Sequence, residues 1–393
     1  MSGWRTYRIA DLGRVVTGKT PPSSQPELFD GTIPFLTPSD MSFDRRHSST
    51  ERFVSADWDS KGRTLLPEGA VCVVCIGATI GKICMSSQPT QTNQQLNSVI
   101  VDPARFDSGF VYYVLRTKAD ELKARAAGAA TPIINKTAFS ELEIDAPPLA
   151  AQRNIASILG AYDDLIEVNR RRIAVLEEIA RGLFEEWFVR FRFPGHEAVP
   201  ILDTPGGPLP EGWSWTPLAK LAQFKSGNNK LTKAAYRENG VIAYSASGPD
   251  GFVDHAEGHG PAVIVGAVGA YCGKSWLADG EWTAIANTFA LLPNQSVPAE
   301  FLFLAMYGIE KWPRRGAAQP FIAKTDAGTK TLPHPPQEIW ALFARSVGPI
   351  FKFISALRAS NRNLAASRDL LLPRLISGQL SVTDAERQLE EAA

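Results

Sequence analysis

Residues 147–195 read PPLAAQRNIASILGAYDDLIEVNRRRIAVLEEIARGLFEEWFVRFRFPG. Two series with a seven-residue step run through this stretch: Ile155, Tyr162, Asn169, Leu176, Leu183, and Leu159, Ile166, Ile173, Ala180, Trp187. Apolar residues recurring at that step form the seam of a coiled coil. Pro147-Pro148 precede the stretch and Pro194-Gly195 close it, residues that do not continue a helix. From Arg153 to Arg192 there are seven basic and seven acidic residues, mostly off the seam.

A long helix with an apolar stripe needs a partner, and a second copy lies 188 residues downstream. Pro335-Pro336 repeat the proline pair, and the two series become Phe343, Ile350, Leu357, Leu364, Leu371 and Val347, Ile354, Asn361, Arg368, Leu375. Gly378 marks the expected end, and Pro373 is expected to kink the last turns. Each helix carries one asparagine on its seam. Antiparallel pairing with Asn169 opposite Asn361 puts Ile173 opposite Leu357, Ile166 opposite Leu364 and Ile155 opposite Leu375. A seam asparagine costs stability and fixes register, so the sequence predicts an intramolecular antiparallel pair clasped by Asn169 and Asn361. The bland alternative is that each is a tolerated polar residue near solvent.

The repeat extends beyond the helices. Trp4, Ile9, Leu12, Val15 and Gly18 match Trp213, Leu218, Leu221, Phe224 and Gly227 at an offset of 209. Gly77-Ala-Thr-Ile-Gly-Lys82 matches Gly269-Ala-Tyr-Cys-Gly-Lys274 at 192, and Gly128 to Thr137 matches Gly316 to Thr325 at 188. The chain is a tandem duplication whose first copy has extra residues between Gly18 and Gly77. Buried strands are expected at Gly69–Gly77 and Pro261–Gly266, and helices beginning at Phe110 and Phe301. The expected fold is α+β: two mixed α/β domains, each followed by a long helix, with pseudo-twofold pairing of the helices. The boundaries are 1–146 and 194–334 for the domains (the latter opening with a Pro/Gly-rich linker to Gly212), 147–193 and 335–380 for the helices, and a tail at 381–393.

Composition narrows the function. Lys plus Arg and Asp plus Glu are both 41, and each domain is close to neutral, 16 basic and 16 acidic residues up to Leu149, 11 and 12 between Pro194 and His334. The absence of a basic excess counts against nucleic-acid binding, although a locally basic groove coexists with overall neutrality in some binders. With no leader at Met1 and no apolar run near eighteen residues, the expected location is the cytoplasm, without membrane contact. Cys72, Cys75, Cys84 and Cys272 form no disulfide pattern, and Cys72-Val-Val-Cys75 reads as buried small side chains. His255 and His259 lie among glycines that argue against a metal-binding helix. No catalytic constellation is present: there is no nucleophile elbow, dinucleotide fingerprint or zinc-protease motif. The Gly-x-x-x-Gly-Lys segments are one residue too short for a nucleotide loop. They read either as tight turns with an exposed Lys or as backbone that approaches a phosphate, with Lys82 and Lys274 supplying charge.

Three stretches carry a resemblance: Pro147–Leu159 (PPLAAQRNIASIL), Leu183–Val189 (LFEEWFV) and Leu370–Leu380 (LLLPRLISGQL). They resemble the helical regions of the specificity subunit of type I restriction-modification enzymes, and GKTPP from Gly18 and TNQQ at Thr92–Gln95 look like its target recognition domains. The resemblance implies that each domain reads half of a split, asymmetric double-stranded DNA site, with the helices as a spacer of fixed length. A helix from Ile155 to Trp187 is about 50 Å long, against roughly 34 Å between successive major-groove faces. It also implies two methyltransferase subunits docked on the helices, with endonuclease/translocase subunits joining them. S-adenosylmethionine, ATP and Mg would belong to those partners, leaving no cofactor, metal or catalytic residue in this chain. Candidate DNA contacts are Lys19, Thr20, Lys82, Gln94, Gln95 and Lys136 in the first domain and Asn228, Lys274, Asn287 and Lys324 in the second. Gln and Asn pair with adenine, and Lys with guanine or phosphate. At T-N-Q-Q the second copy reads A-I-A-N, and further readers are expected in Ser39–Arg63 and Asn228–His259. A coiled-coil scaffold and a duplicated small-molecule enzyme are the alternatives.

Overall fold

The computed structural model describes residues 3–42, 44–46, 49–59, 63–126 and 132–381. The expected tail from 382 onward and the matched residues 128–131 lie outside them. The chain divides into two compact units, one of the residues up to Asn169 together with those from Ala359, the other Arg170–Arg358. The long helices are thus shared between the units and are not separate bodies.

Each unit repeats one plan. In the first, a four-stranded antiparallel sheet runs in the order Gly13–Thr17, Leu96–Val101, Val71–Val74, Ile83–Met85. The central strand Val71–Val74 is apolar throughout and buried at every position. A three-stranded sheet, Arg52–Val54, Ile33–Leu36, Gln91–Thr92, stands beside it, and Arg5–Arg8 pairs with Glu143–Ala146. In the second unit the counterparts are Ala222–Ser226, Thr288–Pro293, Ala262–Gly266, Ser275–Ala278 for the larger sheet. The smaller one is Gly248–Val253, Val241–Ser245, Glu281–Ala284, Gly258–His259, and Ser214–Pro217 pairs with Thr331–His334. Helices Ser108–Thr117 and Ala299–Ala305 stand where the bulky apolar segments were read. All four cysteines are free and buried, and burial pushes the Cys75 thiol up to about 11.

The first long helix spans Leu149–Phe184 and ends in a π-helical turn, Glu185–Val189. The second spans Gln337–Ile376. It continues through Pro373, where a kink was expected, and terminates at Gly378, whose φ is +70°. Length and composition alone would let this helix cross a membrane, although no apolar run near eighteen residues is read in it. Its Trp340, Phe343, Val347 and Ile354 are instead buried in the core of the second unit. The Pro/Gly-rich segment read as a linker is also built in: Ile201–Leu202 pairs with Leu209–Pro210, and Phe193 and Leu209 are buried.

Within each unit the two helix segments run antiparallel. In the first, Ile155, Leu159, Leu372 and Leu375 share one core, and Asn169 Nδ2 donates to Asn361 Oδ1 at 2.9 Å. In the second, Arg358 bonds Glu177 at 2.7 Å and the Trp187 and Phe343 rings lie 5.5 Å apart. Replacing Asn169 or Asn361 singly with Leu strands the other amide. In a double-mutant cycle followed by thermal or urea unfolding, the pair is expected to couple by about 1 kcal/mol, and additive single effects would show that the amides act independently.

Candidate nucleic-acid interface

The first-domain candidates converge on one rim of loops. The strand Gly13–Thr17 ends at Gly18, whose N–H donates to Leu96 O at 3.2 Å, while Lys19 N–H donates to Thr92 O at 2.8 Å. A Cβ on Gly18 would sit 2.2 Å from Asn93 O, so glycine alone lets the strand pass this close to the TNQQ segment. Thr20 Oγ1 then donates to Gln94 Oε1 at 2.6 Å. Gln95 is held from both ends: Asn93 Nδ2 donates to its Oε1 at 2.8 Å, and its own N–H donates to Asn93 Oδ1 at 3.1 Å. Lys136 is exposed and opens a short helix capped by Asn135, whose Oδ1 accepts from Ala138 N–H at 2.8 Å. The preceding residues tie it to the rim, with Ile134 N–H donating to Cys75 O and Cys75 N–H to Gln95 O, both at 2.8 Å.

Lys82 does not join them as an exposed cation. It is half-buried and its Nζ donates to Pro38 O at 3.3 Å. The Gly77–Lys82 segment is a tight turn between the strands Val71–Val74 and Ile83–Met85, closed by Gly81 N–H to Val74 O at 3.0 Å. Gly269–Lys274 is the same turn, closed by Gly273 N–H to Gly266 O at 2.9 Å, and here the exposed Lys274 lies 4.9 Å from the Tyr271 ring.

The second unit rebuilds the rim on the same backbone bonds. Gly227 N–H donates to Thr288 O, Asn228 N–H to Ala284 O and Ala267 N–H to Asn287 O, at 2.9, 2.8 and 2.8 Å. Gly227 is pinned as Gly18 is, since a Cβ there would meet Ile285 O at 2.3 Å. Asn287 is exposed with φ +64°, a left-handed position that asparagine tolerates. Its neighbours Ile285 and Ala286 replace Asn93 and Gln94, so the amide ladder is absent. Polar groups arrive from other positions: Asn228 Nδ2 donates to Glu257 Oε1 at 2.6 Å, Lys225 bonds the Glu257 carbonyl, and exposed Lys324 bonds Ser226.

A second cluster was not read from the sequence. Asp250 accepts from Lys233 and Tyr236 at 2.5 Å and from Ser245 and Ser247 at 2.7 Å. Burial pushes its carboxyl up, but these hydrogen bonds outweigh that and hold it at about 2. In the sequence, 228–259 is unmatched in the first copy, and Pro249-Asp250 followed by Glu257 reads only as a poor imitation of a nuclease carboxylate cluster, lacking the trailing Lys. His255 and His259 face different carboxylates, Glu257 at 3.8 Å and Glu281 at 3.7 Å. Among the described residues no group of three or more His, Cys, Asp or Glu is placed to hold a metal.

The model of the type I restriction modification DNA specificity domain matches residues 1–178. The MjaIX specificity subunit of Methanocaldococcus jannaschii is 26% identical over 97% of this chain and 94% of its own length. The chain is thus similar, over nearly its whole length, to a type I restriction enzyme specificity subunit. A second relative, the HindI specificity subunit of Haemophilus influenzae, is 36% identical over 37% of this chain and 32% of its own length. Among solved structures, the type I S subunit from M. genitalium has the same fold, with a TM-score of 0.61 at 17% identity, covering 95% of this chain and 96% of that one.

Asp250, with its carboxyl held below the unfolded value near 4, stabilises the fold above that value and loses its contribution as pH falls through about 2. Asp250→Asn is therefore expected to lower the Tm at pH 7 and to differ progressively less from the parent toward pH 2. A deficit independent of pH would contradict the ionised-acceptor role.

Proposed function

We propose that the chain is the DNA-recognition subunit of a cytoplasmic type I restriction-modification complex. Each domain reads one half of an asymmetric, two-part duplex site through its loop rim. The paired helices set the separation of the halves and dock two methyltransferase subunits, with endonuclease/translocase subunits joining the assembly. S-adenosylmethionine, ATP and Mg belong to those partners and not to this chain.

One observation carries the reading. The same loop frame is built twice from equivalent backbone bonds and carries unlike polar groups: Thr20, Gln94 and Gln95 in one copy, Asn228 and Glu257 in the other. Phosphate contacts position a protein on DNA, whereas base-edge contacts specify sequence. A duplicated frame with divergent side chains fits two readers of unlike sequence. Amides suit adenine, and a carboxylate suits the cytosine amino group. A duplicated enzyme would have kept one reactive cluster in both copies, whereas of the candidate residues only the lysines Lys82/Lys274 and Lys136/Lys324 recur.

Selection from a random duplex library, with the chain co-expressed with its methyltransferase subunit, is expected to return a gapped motif with two different halves. Enrichment of no duplex by a complex that has formed would leave a scaffold. Lys136→Ala is expected to weaken binding to all sequences alike and to reduce the slope of log affinity against log salt by about 1, whereas Gln94→Ala is expected to relax one half of the motif only.

A further inference from the structure

A polar network in the first unit joins its domain to its helices. Asp163, on the helix Leu149–Phe184, accepts from Tyr113 Oη at 2.5 Å and pairs with Arg368 of the helix Gln337–Ile376. The side chains of Asp163 and Arg368 are each only 8% exposed. Arg368 Nε also donates to Asp369 at 3.0 Å, and Asp369 accepts from Arg116 of the domain helix at 3.1 Å. From the stretch Ser39–Arg63, where base readers were expected, Arg45 turns to Asp164 at 2.6 Å. Tyr113 and Arg116 lie on Ser108–Thr117, and Arg45 lies between the strands Ile33–Leu36 and Arg52–Val54 of the smaller sheet, so two separate parts of the domain are tied to the helices.

The repeat shows that this chemistry is not required to bury the contact. At the 188-residue offset Asp163 corresponds to Phe351 and Arg368 to Ala180, and in the aligned domain helices Tyr113 corresponds to Leu304. Phe351, Ala180 and Leu304 are all buried in the core of the second unit. A buried ion pair generally adds little stability over apolar side chains of similar volume, and apolar contact is non-directional where hydrogen bonds are not. Burial alone therefore gives no reason for the network, whereas its directed bonds hold the domain helix at one angle.

We propose that Tyr113, Asp163 and Arg368 are positioning residues that set the orientation of the first loop rim, and hence the reading of one half-site only. This rests on the DNA-specificity reading. Two full-length variants, each assembled with the methyltransferase subunit, test it by library selection. Tyr113→Phe removes a single hydroxyl. The combination Tyr113→Leu, Asp163→Phe and Arg368→Ala installs the side chains the second unit uses.

Both variants are expected to keep a Tm near that of the parent and to retain the second half of the motif. Preference for the first half is expected to fall, by about tenfold in the triple variant, the equivalent of one lost base-pair contact, and by less in Tyr113→Phe. Parental reading of both halves by either folded variant overturns the inference and leaves the network purely structural. Equal decline of both halves overturns it as well. A parent chain that selects no motif overturns the specificity reading, and this inference with it, and the parent control separates that result from the others.

Discussion

The constraint on which everything else depends is the pairing of two helices whose only matched seam amides are Asn169 and Asn361, bonded at 2.9 Å. A slip of one heptad would place Asn169 opposite Ile354 or Arg368 and leave its amide without its partner. An unpaired amide in a seam costs about 1–3 kcal/mol. The cost of the polar pair is thus converted into a unique register. Their repeat counterparts are Leu357 for Asn169 and Ile173 for Asn361, so the clasp occurs once, in the first unit, while the second unit has an apolar pair at the same two places.

This difference recurs at other positions of the helix frame. Gln152, 2% exposed, donates to Pro147 O at 2.8 Å and accepts from Asp107 N–H at 3.0 Å, fastening the start of the first helix to its domain. Its counterpart is Trp340, equally buried, whose ring lies 4.5 Å from that of Phe301 and 5.7 Å from that of Phe188. The first unit holds its domain with directed polar bonds, and the second with an aromatic cluster that also takes in Trp187 and Phe343. One backbone plan accepts both because the helix seam and the closing strand pairs, Arg5–Arg8 with Glu143–Ala146 and Ser214–Pro217 with Thr331–His334, are set by periodicity and prolines that both copies share.

That shared periodicity explains which features were legible. Seven-residue steps gave the helices, the register and the asparagine clasp, because seam positions are fixed once the helix is. Gly18 and Gly227 were legible as repeat anchors, and close backbone approach is their physical reason. Side-chain direction was not legible. Lys82 sits in the same turn as Lys274, yet one amine bonds Pro38 O and the other lies over Tyr271, a difference set by neighbours distant in sequence. The same holds for Arg45, which lies in an insertion without a repeat counterpart and turns to the helix. Arg368 occupied a seam position by count alone, and only the fold brings Asp163 and Tyr113 to it.

The division between what repeats and what diverges bears on function. Residues that build the loop rim recur at fixed offsets, so the backbone presents the same carbonyl and amide positions twice. Side chains carried on that frame diverge, from Asn93-Gln94-Gln95 to Ile285-Ala286-Asn287. A site that performed one reaction twice would conserve the reverse, since catalysis depends on particular side chains at particular distances. Conserved scaffolding under divergent side chains is what a protein needs to recognise two unlike surfaces with one fold. Specificity is a difference of affinities, and side chains that diverge on a frame held constant by helices and strand pairs are where such a difference arises.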